Sequence, residues 1–399
     1  MSMTGGGRSR RAAVRAVAGA AGSALAVGGV GVGLQAHAAE SDDATAGSDD
    51  FRIVADGYYA TAEVTTGGDV PLPVPDVDAN VTVGQIESEA NSAGIEGEDE
   101  GVYTRAFGTI ANVGGMGTDF DVPYLVEQVA LPEKDDTATY GVHDLQIPVV
   151  GGLDAISGEV KANWNNDLVT EGSEGGVLTS LYSGVGQLDL LDPSQLGPVT
   201  HLLPNALPLG EPAVSVGAGQ LEQETGTFAK DDGTLGGYAE VRGRFGDVSI
   251  LGGAANGGIS VGFAGSDDGD TPNAWGRLEA TGEPGGASFD YELPALELQV
   301  GDKEVVDVEP GFDQTFEVNG VSVNLNFADY RDQDTVLAED GTVASASGGG
   351  LSLRVTLSAP VPVVGDVEIG SAEIGLLSFP ELSVEVPQGG IAEEAVLYN

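Results

Sequence analysis

Cysteine is absent from the 399 residues, and lysine (four), histidine (three), methionine (three) and tryptophan (two) are scarce. Without cysteine the chain forms no disulfide, offers no thiolate ligand and has no residue for a thioether-linked lipid. Beyond residue 39 the histidines reduce to His143 and His201, too few for a zinc cluster with ligand spacing. The shortage of bases excludes the positive face that nucleic acids or anionic membranes require. No uncharged apolar run of about 18 residues follows residue 39, so the mature chain has no expected transmembrane span. The fold must therefore rest on core packing or bound ions.

Charge is distributed very unevenly. Residues 1–39 hold four arginines and no acid, and they end in Ala36-His37-Ala38. The rest carries 11 bases against 63 acids, a net charge of −52. A basic flank, an Ala/Gly/Val-rich apolar stretch and an A-x-A end are the marks of a cleaved signal peptide. Ser9-Arg10-Arg11-Ala12-Ala13-Val14-Arg15 is similar to a twin-arginine signal, with general secretion the other route. Residues 1–39 are accordingly expected to be removed, and the mature protein to be extracellular or associated with the cell envelope. Residues 40–50 read as an acidic disordered linker. Residues 51–399 read as a β-rich region, either one large domain or two with a break near 193–212. A mature charge of −52 implies self-repulsion that salt would screen.

From Phe51 onward, short β-prone runs are punctuated by Gly, Pro, Asp and Asn. Leu351–Leu357 alternates cleanly. Asn319-Gly320 between two such runs predicts a hairpin with both central residues at positive φ, and Gly301-Asp302 predicts another. Further strands are expected at 58–64, 79–86, 102–111, 143–150, 238–250, 258–264 and 287–293. Consecutive strands with tight turns predict an all-β fold, an antiparallel sandwich or barrel. Residues 177–209 carry two acids and four prolines, and read as a buried crossover or short helical insertion.

The segment Asp56–Val64, followed by Pro71–Val77, is echoed by Asp340–Ala346 and Pro360–Val367, which suggests that the two ends of the chain neighbour each other in one unit. These D-G starts, small-residue strands and P-x-P-V turns resemble secreted actinobacterial envelope proteins of the choice-of-anchor type, over about 51–110 and 335–390. The resemblance implies an envelope location and supplies no catalytic residues. The C-terminal anchor of those proteins has no match in residues 391–399.

Candidate chemistry is sparse. Asp267, Asp268, Asp270 and Asn273 in one expected turn, and Asp329, Asp332 and Asp334 in another, place oxygen ligands close enough for calcium. Neither follows the twelve-residue EF-hand pattern, and solvated acidic turns are the alternative. No cofactor other than calcium is suggested. Gly258-Ile259-Ser260-Val261-Gly262 matches G-x-S-x-G but lacks the strand-turn-helix setting of a nucleophile elbow. Trp164 and Trp275 are candidates for carbohydrate contact, or for core positions. The expected function is that of an exported, non-enzymatic, acidic envelope or surface protein, with an envelope component or carbohydrate as partner. The alternatives are a secreted polysaccharide hydrolase using a carboxylate pair and a calcium-dependent carbohydrate-binding module.

Overall fold

Alternate residues of a strand leave opposite faces, and Leu351–Leu357 obeys this: Leu351, Leu353, Val355 and Leu357 are buried, while Ser352, Arg354 and Thr356 point outward. The computed structural model describes residues 50–66, 77–99, 101–114, 120–121, 125–130, 135–147, 151–165, 168–170, 172–191, 212–263, 274–308, 311–328, 334–361 and 365–392. The fold is almost wholly β. The chain begins with β1 (Arg52–Thr66), β2 (Val77–Asn91), β3 (Thr104–Thr109), β4 (Ala111–Gly114), β5 (Phe120–Asp121) and β6 (Leu125–Ala130). Then come β7 (Asp135–Ile147), β8 (Gly151–Asn163), β9 (Gly175–Val185), β10 (Leu188–Leu190), β11 (Val214–Val216), β12 (Gly219–Ala229) and β13 (Leu235–Arg244). They are followed by β14 (Val248–Ile250), β15 (Ile259–Phe263), β16 (Ala274–Ala280), β17 (Ser288–Glu292), β18 (Leu296–Val300) and β19 (Lys303–Val308). The last five are β20 (Asp313–Val318), β21 (Val321–Ala328), β22 (Asp334–Leu337), β23 (Val343–Val361) and β24 (Gly365–Glu385).

Two antiparallel sheets stack as a sandwich. The first runs β20-β21-β23-β24-β1-β2-β3-β6, with β22, β4 and β5 joined at its margins. The second runs β17-β16-β13-β12-β9-β8-β10-β11-β14-β15-β18-β19, with β7 against β8. All of β7–β19 thus lies in the second sheet, inserted between two stretches that build the first. As the sequence echo suggests, the ends of the chain meet: β1 pairs with β24, which also pairs with β23. The expected hairpins are present. Asn319 (φ 52°) and Gly320 (φ 84°) connect β20 to β21, and Gly301 (φ 53°) connects β18 to β19.

A seam crosses both sheets at one level. In β2 the buried set switches from Ala79, Val81 and Val83 to Ile86, Ser88 and Ala90; in β1 it switches from Ile53, Ala55 and Tyr59 to Ala60, Ala62 and Val64. The second sheet repeats this, with Leu181, Ser183 and Val185 in β9 giving way to Leu188 and Leu190 in β10. One extra residue inserted in a strand reverses its facing in this way. Left-handed backbone marks the line at Gly84 (φ 67°), Leu377 (φ 53°) and Asp144 (φ 55°). Glycine is required where the layers close up. A Cβ on Gly219 would lie 2.2 Å from the Arg244 carbonyl oxygen and 2.4 Å from Tyr59 Oη. Tyr59 donates from its hydroxyl to the Gly217 carbonyl across the layers (3.2 Å) and packs on Phe245 at 5.5 Å.

Polar groups also tie the layers. The buried Gln223 of β12 donates from Nε2 to the Ala55 carbonyl and to Ser88 Oγ, both at 2.8 Å. The first part of the segment expected as a crossover or helical insertion is instead strand, in β9 and β10. Its inward Thr179 and Ser183 are polar, which hides the alternation from a hydrophobicity reading. The four prolines of 177–209, residues 193–211 of the expected break and residues 1–49 lie outside the described residues.

Candidate functional site

Trp164 is fully buried, stacked on Phe51 at 5.9 Å and tilted against Tyr103 at 4.8 Å. It is a core residue and offers no carbohydrate contact. Ser260 lies within β15, where its Oγ accepts the Ala254 amide hydrogen at 2.9 Å. It therefore serves the turn before the strand, and the antiparallel setting lacks a nucleophile elbow. His143 is exposed on β7, and His201 is outside the described residues. Asp267, Asp268, Asp270, Asn273, Asp329 and Asp332 are outside them as well, while Asp334 opens β22 and is exposed opposite Ser347. Among the described residues, no three acidic or histidine side chains are arranged to hold a metal ion.

Trp275 is on the outward face of β16, and register places it in company. Directly opposite one another across successive strands are Glu292, Trp275, Arg242, Glu222, Tyr182 and Glu159. The next row along the strands reads Asp290, Arg277, Glu240, Glu224, Ser180 and Lys161. Within this face Glu240, only 6% exposed, accepts from Arg242 Nε at 2.5 Å and from Arg277 Nη1 at 2.7 Å. Arg277 also donates to Glu279 at 2.6 Å and sits 4.1 Å above the ring of Tyr238. Burial, with Glu224 nearby, pushes the Tyr238 hydroxyl up to about 12 against the opposing pull of Arg277. Trp275 Nε1 donates to Glu292 at 3.2 Å. The result is a face whose charged groups are fixed by one another, with aromatic rings set among them.

The outward face of the first sheet differs. Glu381 (β24), Asp56 (β1) and Glu87 (β2) oppose one another in a single row of carboxylates. Burial above all, then the charge of Glu87, pushes Asp56 up to about 7, although Gln85 and the Gly57 amide donate to it. Its Oδ1 has no hydrogen-bond partner among the described residues. Burial raises Glu381 too, against the pull of Arg52. The arginines stand at the margin of this row: Arg52 pairs with Glu89 and Arg105 with Glu87, each at 2.9 Å.

Trp275 is visible in the sequence, but its neighbours Arg242, Glu222 and Tyr182 are not, since they come from three other strands. The signal that could have found them is the clustering of arginine, Arg242, Arg244 and Arg277, in an otherwise acid-dominated chain.

No protein-family model matches the sequence, and no curated protein matches it. Among solved structures, the TodX monoaromatic hydrocarbon channel, as its deltaS2 mutant, aligns over 85% of this chain and 90% of its own at 9% identity. Its TM-score of 0.16 is too low to indicate a common fold.

Proposed function

We propose that this chain is an exported, non-enzymatic protein of the cell envelope or surface, working by interaction through a sheet face. The observation that carries the reading is the outward face of β9, β12, β13 and β16. There, rings and paired charges are held on a rigid antiparallel scaffold, an arrangement suited to recognition. Its most buried carboxylate, Glu240, is engaged by two guanidinium groups, which suits structural pairing. Export is supported by the arginine flank and A-x-A end of residues 1–39.

Fractionating expressing cells into cytoplasm, membrane, wall and medium tests the location. Most of the protein should be found outside the cytoplasm with a new N-terminus at Ala39 or Glu40. Intact Met1 on most molecules would overturn export by cleavage. Replacing Arg10 and Arg11 together by lysine separates the routes, because twin-arginine export should fail and general secretion should continue.

A further inference from the structure

We infer that the outward face of the second sheet binds an extended, uncharged glycan laid across the strands, with Trp275 and Tyr182 as its two stacking platforms. This inference deepens the interaction role proposed above and rests on it. Trp275 and Tyr182 are in one row of directly opposed residues with Arg242 and Glu222 between them. Three strand spacings of about 4.8 Å separate them by about 14 Å, roughly three pyranose repeats, so the platforms match the first and fourth sugars of a chain. The rings lie down on the sheet. A Cβ on Gly184 would come within 2.6 Å of Tyr182 Oη and 3.1 Å of its Cζ, and one on Gly226 within 2.8 Å of the Tyr238 ring. Bare glycine backbone thus supports each tyrosine from below; Tyr182 is partly exposed above its glycine, whereas the ring of Tyr238 is covered by Arg277. A flat ring suits the C–H face of a sugar, and the planar acceptors and donors of Glu222 and Arg242 between the platforms suit hydroxyl groups.

Two shallow cavities flank the rows. One, of about 430 Å³, is lined by Gln220, Arg244 and Asp247 at the seam. The other, of about 380 Å³, is lined by Lys161, Ser180 and Glu224. Phe245 adds an apolar wall to the first, and Leu168, Val177 and Leu178 add one to the second, so polar and apolar groups extend the surface beyond the two rings. Charge selects the partner further. Acids outnumber bases along the rows, which repels polyanions, and the mutual pairing of Arg242, Arg277 and Glu240 lowers the pull on cationic ligands. A protein partner would call for an apolar centre. Among the described residues, the one large aliphatic side chain well exposed near these rows is Val177, at 37%.

The two tryptophans supply the readout. Trp164 is fully buried and Trp275 partly exposed, so ligand-induced changes in fluorescence and acrylamide quenching report on Trp275. The full-length secreted protein is titrated with neutral gluco-, manno-, galacto- and N-acetylglucosamine hexasaccharides, their shorter homologues and the monosaccharides, and with an anionic uronic-acid and a cationic glucosamine hexasaccharide, with calorimetry in parallel. At least one series should bind, tighten up to about four sugars and then level off, and protect Trp275 from quencher. Trp275→Ala and Tyr182→Ala should each weaken binding tenfold or more with an unchanged melting temperature, while Trp275→Tyr should retain most of it. Absence of binding across the panel, or binding that both alanine variants retain, overturns the inference. So does preference for a charged glycan over every neutral one. Secretion without glycan binding would sink this inference alone, whereas glycan binding by a protein retained in the cytoplasm would sink the exported role and leave the platform standing.

Discussion

The outward faces of the two sheets are built by the same device and reach opposite electrostatic outcomes. In both, charged side chains stand directly opposite one another across antiparallel strands, where Cβ atoms are about 4.5–5.5 Å apart. On the first sheet, acid meets acid, in the row Glu381, Asp56, Glu87. On the second, Arg277 faces Glu240, and Arg242 faces Glu222. Composition alone does not distinguish them, because acids are abundant on both. Register decides whether a carboxylate works against the fold or is held within it.

Four experiments probe that contrast. The largest effect is expected from Arg277→Met, which leaves the buried Glu240 with Arg242 as its remaining guanidinium partner and uncovers Tyr238. Loss of about 3 kcal/mol in urea melts is expected, and a loss under about 0.5 kcal/mol would mean that the pairs on this face are merely superficial. Asp56→Asn should act in the opposite direction. The folded carboxyl titrates near 7 against an ordinary value of 3.8, so the native state holds its proton more tightly than the unfolded chain does. That costs nothing at pH below both values, grows as pH rises through the interval between them, and is complete above 7. The asparagine variant should therefore be more stable than the parent by about 2 kcal/mol at pH 8, with the gain fading toward pH 4. A constant difference across pH would dissociate Asp56 from the row.

Glu87→Gln should have a smaller effect. Removing the charge that acts on it most should move the Asp56 titration, followed by carbon-detected NMR, down by about one pH unit; no movement would leave burial and Glu381 as the causes. Smallest is the effect of salt. Going from 0.01 to 1 M NaCl shortens screening from about 30 to about 3 Å. The melting temperature should rise by about 3 °C, and less in the asparagine variant than in the parent. A flat response would show that self-repulsion is not limiting.

Much of the fold can be read from single strands. Leu351–Leu357 and the Asn319-Gly320 hairpin declare themselves locally, because alternation and turn chemistry are short-range properties. The seam does not, since it reverses the facing of a strand midway: residues 238–250, continuous to the eye, divide into β13 and β14 around Phe245–Asp247. Gln223 is hidden for a different reason. The Nε2 group of this buried amide finds its acceptors in Ala55 and Ser88, far away in the chain, and nothing in its own surroundings announces that. The candidate site is half visible, as Trp275 without its row. Trp164 and Trp275 have similar local sequences of polar and small neighbours, and only packing separates a core residue from a platform.

The insertion of the second sheet into the first bears on how the chain is made. β24, the last of the described strands, is not at a margin; it lies between β23 and β1, which is the first of them. Emerging from its N-terminus, the chain can pair β1 with β2, but the other edge of β1 waits for a partner that begins at Gly365. Such distant pairing makes folding slow and leaves an open strand edge exposed in the meantime. A molecule stopped before β24 would hold a first sheet divided through its middle, with β20–β23 detached from β1–β6. The arrival of β24, rather than of any earlier stretch, is thus the event that closes the first sheet.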